Sequence, residues 1–139
     1  GSEMCIRDRI NPDTKIIVSK VKFDISVPEK IRNNINTFII EKDLSTKEVT
    51  FSEFKFKENN FFGGENLGSL ESEVTGSIQI KILNGKEHTK KISSIKRFNT
   101  QSLNPLAQKE LIKIMHIEII EDLNKKILLY LKIHEDKQS

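Results

Sequence analysis

The sequence predicts an α+β domain: a four-stranded, mixed and mostly antiparallel sheet with two helices packed on one face, in the order β-α-β-β-β-α. Three observations predict it. Ile78, Ile80 and Ile82 alternate with Gln79 and Lys81 and run into Asn84-Gly85, the pattern of a strand entering a hairpin. Two segments, near 27–40 and 105–134, repeat apolar residues at helical spacing. The remaining strands alternate apolar and polar residues, so every element has one face to bury, and a sheet covered by helices on one side buries them all.

The totals agree with a single domain. The chain has 139 residues, 36% hydrophobic and 31% charged, too apolar for disorder and short enough for one core. No stretch approaches the roughly 20 apolar residues of a membrane-spanning helix. The net charge of +3 mildly favours an anionic partner. Cys5 is the single cysteine, which excludes an intrachain disulfide and a cysteine metal cluster.

Residues 1–9, GSEMCIRDR, have no apolar core and do not form a signal peptide. EMCIRDR resembles a translated sequencing-adapter artefact. They are read as a non-native leader, with the natural sequence starting near Ile10. The domain is then 10–135, followed by a polar tail at 136–139.

Lys15 to Phe23 is rich in β-branched residues and reads as the first strand. Ser26-Val27-Pro28-Glu29 has the capping-box pattern and opens an amphipathic helix from about Val27 to Ile40, with Ile31, Ile35, Phe38 and Ile39 on its apolar face. Val49 to Lys57 is the second strand. Its apolar residues change parity between Phe51 and Phe54, so a bulge near Ser52-Glu53 is needed to put them on one face. Asn59 to Leu70, punctuated by Gly63, Gly64 and Gly68, reads as a loop. Glu73 to Leu83 and Lys86 to about Arg97 form the hairpin around Asn84-Gly85. Asn104 is a good N-cap and Pro105 a good first residue for the last helix. That helix runs to about His134, some 45 Å at the usual rise, long enough to overhang a small sheet.

Signs of catalysis are scarce. His88, His116 and His134 are scattered, and none has metal-ligand spacing. No serine sits in a nucleophile elbow. Gly63-Gly64 lacks the lysine and the helix of a phosphate loop. We expect no enzyme activity, no cofactor and no metal. His116 reads as a flank of the core stripe.

Two segments are candidates for binding. Lys86, Lys90, Lys91, Lys96 and Arg97 set five cations against one acid in a single strand and its exit. They suit phosphate groups, although a lysine-rich strand is equally an edge guarded against aggregation. The second candidate is the loop of Phe61, Phe62, Gly63 and Gly64, where exposed aromatics beside paired glycines could insert into a partner.

The element order and the C-terminal third resemble the LPS-assembly lipoprotein LptE family. The residues that carry the resemblance are Arg97-Phe98-Asn99, then Asn104-Pro105-Leu106-Ala107, then the helix through Leu131, with Ile31 to Ile39 in the first helix. It extends from about Lys15 to Ile133. It implies an outer-membrane lipoprotein facing the periplasm, without catalytic activity, that plugs and helps assemble the LptD β-barrel; some members bind lipopolysaccharide. The hairpin lysines would then meet its phosphates, and the Phe61-Phe62 loop the barrel lumen. The anchoring cysteine of the family has no counterpart, and Cys5 is not assigned that role. No nucleic-acid partner is expected in this reading. The alternative is a cytoplasmic or phage-derived module that binds protein or nucleic acid through 86–97.

Overall fold

The computed structural model describes residues 15–42, 46–62, 69–99 and 104–138. The leader with Cys5, and Gly63 and Gly64, lie outside the described residues. The elements are β1 (Ile16–Val18), β2 (Lys20–Phe23), α1 (Glu29–Phe38), β3 (Ile39–Glu41), β4 (Glu48–Phe62), β5 (Ser69–Asn84), β6 (Lys86–Asn99) and α2 (Pro105–Gln138).

The α+β architecture is the predicted one. Four strands form a mixed sheet in the order β2-β4-β5-β6, parallel between β2 and β4 and antiparallel elsewhere. Val49 and Phe51 of β4 and Val74, Ile78, Ile80 and Ile82 of β5 are buried on one face. Ile31, Ile35 and Phe38 of α1 and Ile119, Leu123, Ile127 and Leu131 of α2 close the same core. At about 25 cal/mol per Å² of apolar surface, such burial is the main force holding helices to sheet.

The N-terminal segment departs from expectation. The predicted single strand 15–23 is divided at Ser19. β1 pairs in parallel with β3, whereas β2 pairs in parallel with β4. Ser19 is the pivot: its N–H and its hydroxyl both donate to the Lys47 carbonyl, at 2.7 and 2.9 Å. The buried parity changes with it, from Ile16 and Val18 to the half-buried Val21 and Phe23. A single straight strand cannot bury both pairs on the same side.

The first helix is shorter than the predicted 27–40. It ends at Phe38, and Ile39 and Ile40 become part of β3. These adjacent β-branched residues suit extended backbone, and β1 supplies their partner strand. The predicted capping box does not form. Pro28 occupies the N-cap position, without a side-chain cap, and its carbonyl accepts from the N–H groups of Ile31 and Arg32. Ser26 serves β4 instead: its hydroxyl accepts from the Phe54 N–H at 3.1 Å.

That contact explains the bulge, which forms where the parity change required it. Ser52 pairs with Gln79 and Lys55 with Ser77, so Glu53 and Phe54 together oppose Ile78. Glu53 takes a positive φ of 52°, a left-handed conformation uncommon for a residue with a side chain. The bulge leaves the Phe54 N–H out of the ladder, and Ser26 satisfies it.

The predicted 59–70 loop is shorter. β4 continues to Phe62, and β5 begins at Ser69. The ladder that carries β4 past Lys57 is made by Thr75 to Ser69 of β5, a pairing that local composition does not announce. The hairpin ladder is symmetric about Gly85: Asn84 opposes Lys86, and Gly85 has φ 79°. β6 extends two residues beyond Arg97.

α2 starts where predicted. The Asn104 side-chain oxygen accepts from the Ala107 N–H at 2.8 Å, and its carbonyl from the Gln108 N–H at 3.0 Å. The helix continues past His134 to Gln138, through most of the predicted polar tail.

Candidate functional site

β6 carries all five predicted cations and forms one edge of the four-stranded sheet. Its pairing with β5 divides them. Lys90 and Lys96 lie opposite Ile80 and Val74, on the side of the helices, and Lys86 has the same parity. Lys91 and Arg97 lie opposite Gln79 and Glu73, on the other face. Arg97 Nε is bound to Glu73 Oε2 at 2.8 Å. The cluster of the sequence is therefore two half-clusters, one of them partly neutralised.

The helix-side half meets α2. Lys126 Nζ donates to the Ser93 carbonyl at 2.8 Å and lies 3.3 Å from Asp122 Oδ2. The Asp122 carboxyl is held below the ordinary carboxylate range, chiefly by the Ser94 hydroxyl and further by Lys126 and Lys96, with burial opposing. Ser94 Oγ is buried and makes no hydrogen bond of full geometry, yet lies close enough to exert this influence. This polar seam ties the middle of β6 to the helix.

Beyond the seam, the β6 edge and the last turns of α2 enclose an open groove of about 500 Å³. Ile92, Leu129, Tyr130 and Ile133 line it with apolar surface, Lys90 and Lys126 supply cations on the helix side, and Lys91 borders it from the edge strand with the parity of the other face. Burial pushes the Tyr130 phenol above its usual pKa. Sequence reading did not find this groove. Its one signal is the run Ile127 to Leu131, apolar around the whole circumference of a helix that has only one face on the sheet.

The aromatic candidates fall differently. Phe61 and Phe62 end β4, with Phe61 opposite Glu71 and Phe62 opposite Ser69, so both belong to a strand rather than a loop. Gly63 and Gly64 lie outside the described residues. His116 does flank the core: its ring stacks on Phe56, with centroids 4.0 Å apart and planes within 6°. Its Nε2 is buried without a hydrogen bond, 3.6 Å from Glu58 Oε1. Among the described residues, no three His, Cys, Asp or Glu side chains are grouped to hold a metal, and no helix is long and apolar enough to cross a membrane.

No protein-family model matches the chain, and no curated protein does. Solved structures do share its architecture. Rare lipoprotein B from Shewanella oneidensis aligns with a TM-score of 0.73 over 88% of this chain and 98% of its own, at 13% identity. The chain has the fold of these bacterial lipoproteins. A minor lipoprotein from Acinetobacter baumannii gives 0.66 over 86% and 95%, at 10% identity. Lipoprotein B from Nitrosomonas europaea gives 0.60 over 84% of each chain, at 12% identity. The described strands and helices thus span nearly the whole lipoprotein fold, and at these identities the likeness is one of fold.

Proposed function

We propose that this chain is a non-catalytic component of lipopolysaccharide assembly, of outer-membrane lipoprotein type, that binds an LptD-type β-barrel on the periplasmic face. The observation that carries this reading is the fold shared over 98% of the length of Shewanella oneidensis rare lipoprotein B. The Arg97-Phe98-Asn99 and Asn104-Pro105-Leu106-Ala107 pattern supports it from the sequence side. Membrane attachment in this reading is through a lipid anchor, for which the described residues offer no site.

The nucleic-acid alternative draws less support. Single-strand binders line a cationic groove with stacking aromatics. Here the cations of β6 divide between two faces, and Arg97 is paired with Glu73.

Co-purification tests the proposal. The chain, tagged and exported behind a signal peptide and lipidation site, is expressed with the LptD-type barrel of its own genome. The barrel is expected to elute with it from detergent-solubilised outer membranes at near-equal stoichiometry. Recovery of the folded chain from that fraction without the barrel sinks the reading.

A further inference from the structure

We propose that the β6 edge, together with the groove beside the C-terminal half of α2, receives an extended acidic segment of another protein as a fifth strand of the sheet. This goes beyond the barrel reading and does not depend on it.

The first ground is the edge itself. β6 is 14 residues long and, among the described residues, pairs with β5 alone. In an antiparallel ladder every second residue turns its N–H and C=O away from the partner strand. One of these outward groups has already recruited a donor: the Ser93 carbonyl accepts from Lys126 Nζ at 2.8 Å. The lysine holds the position that the N–H of an added strand would fill. On the opposite side of the sheet β2 covers only residues 48–51 of β4, and the edge of β4 beyond it is interrupted by the bulge at Glu53-Phe54, whose Phe54 N–H is taken by Ser26.

The second ground is the groove. Successive side chains of a strand point to opposite faces. A strand laid along β6 therefore sends every second side chain to the helix side. There Ile92 forms one wall of the groove, and Leu129 and Ile133 form the other while remaining 52% and 53% exposed. Main-chain hydrogen bonds along an edge and a pocket for alternate side chains are the two parts of peptide recognition by strand addition.

The third ground is charge, which selects the occupant. Lys90 and Lys126 rim the groove on the helix side, and Lys91 lies beside it on the same edge strand with the parity of the other face. Among the described residues, Lys126 is shared with Asp122, whereas neither Lys90 nor Lys91 forms an ion pair. Acidic residues on the incoming segment would pair with these lysines. A second copy of this chain aligned by its own β6 would set lysine against lysine, which is repulsive across a strand pair. A lipid offers no regularly spaced row of backbone amides to match the edge.

The probe is a fluorescent ten-residue peptide of alternating Glu and Val, titrated by anisotropy against the full chain. Saturable binding is expected, with slowed hydrogen exchange at the β6 amides around Ser93. A peptide of the same sequence N-methylated at every residue, which has no N–H on either edge to complete the ladder, should bind at least tenfold more weakly. Leu129→Asp, and Lys90→Glu with Lys91→Glu, should each weaken the unmodified peptide at least tenfold with the circular dichroism unchanged.

No saturable binding, equal binding of the N-methylated peptide, or protection that misses β6 overturns the proposal. The N-methylated comparison uses the unaltered protein, so it decides even if a variant fails to fold. Two other occupants would also overturn it. One is a dimer in sedimentation equilibrium that Leu129→Asp dissolves. The other is co-sedimentation with phosphatidylglycerol vesicles that the peptide does not compete away.

Discussion

Phe51→Ala should lower the unfolding free energy by about 3–5 kcal/mol, the usual range for emptying a buried phenylalanine site. Phe51 is fully buried near the start of β4, opposite Ile80 and beside Phe23 of β2. Its ring stacks on Phe23 with centroids 5.3 Å apart and planes within 15°. Truncation therefore removes the filling of the core and the ring contact that fastens the parallel β2 to the sheet. Neighbouring strands are held by their own ladders, so the cavity has little freedom to collapse. A domain of this size has a stability of about 5–15 kcal/mol, and the loss is a large part of it. Urea denaturation with an unchanged slope measures it. A loss below about 1 kcal/mol, outside the stated range, would contradict the packing described for β4.

The second large effect is at Gly76. This residue lies on β5 beneath α2, opposite Phe56 on one side and Ser94 on the other. A Cβ there would overlap Ile119 Cγ2 and come within 3.4 Å of Leu123 Cδ1 and Phe56 Cε1. Ile119 is β-branched and on a helix, where a single side-chain rotamer dominates, so its methyl cannot swing aside. The helix must lift or the strand must bend. Gly76→Ala should cost about 1–3 kcal/mol and Gly76→Val more, as overpacking does. Ile119→Ala removes the obstructing methyl. The double variant Gly76→Ala/Ile119→Ala should therefore lose less than the two single losses combined. Strict additivity would show that the glycine is not what lets the helix approach.

The features legible in the sequence were those whose cause is local. Asn104 caps a helix with its own side chain, Asn84-Gly85 turns a hairpin with its own backbone, and the parity change after Phe51 demanded a bulge. The features missed were decided by residues distant in the chain. Ser19 splits a strand because Lys47 accepts its hydrogen bonds, and Ile39-Ile40 leave the helix because β1 pairs with them. Ser26 sits where a cap should be, yet the bulge at Phe54 takes its hydroxyl. The candidate site follows the same division. The cations of 86–97 are visible as a run, but their allotment to two faces depends on register with β5. The groove needs a strand and the end of a helix side by side, and no spacing along the chain reveals that juxtaposition.

The connectivity of the sheet also orders its assembly. β4, β5 and β6 are consecutive in sequence and antiparallel, so each pairing can grow outward from its own connection. β2 reaches β4 only after the chain has passed through α1 and β3, which requires closing a longer loop before any contact repays it. The three-stranded meander is thus the natural nucleus, and the parallel strand is a late addition. In a φ-value series, substitutions at Ile80 and Ile92 should slow folding, whereas those at Val21 should chiefly speed unfolding. The reverse pattern would place the nucleus at the N-terminal strands.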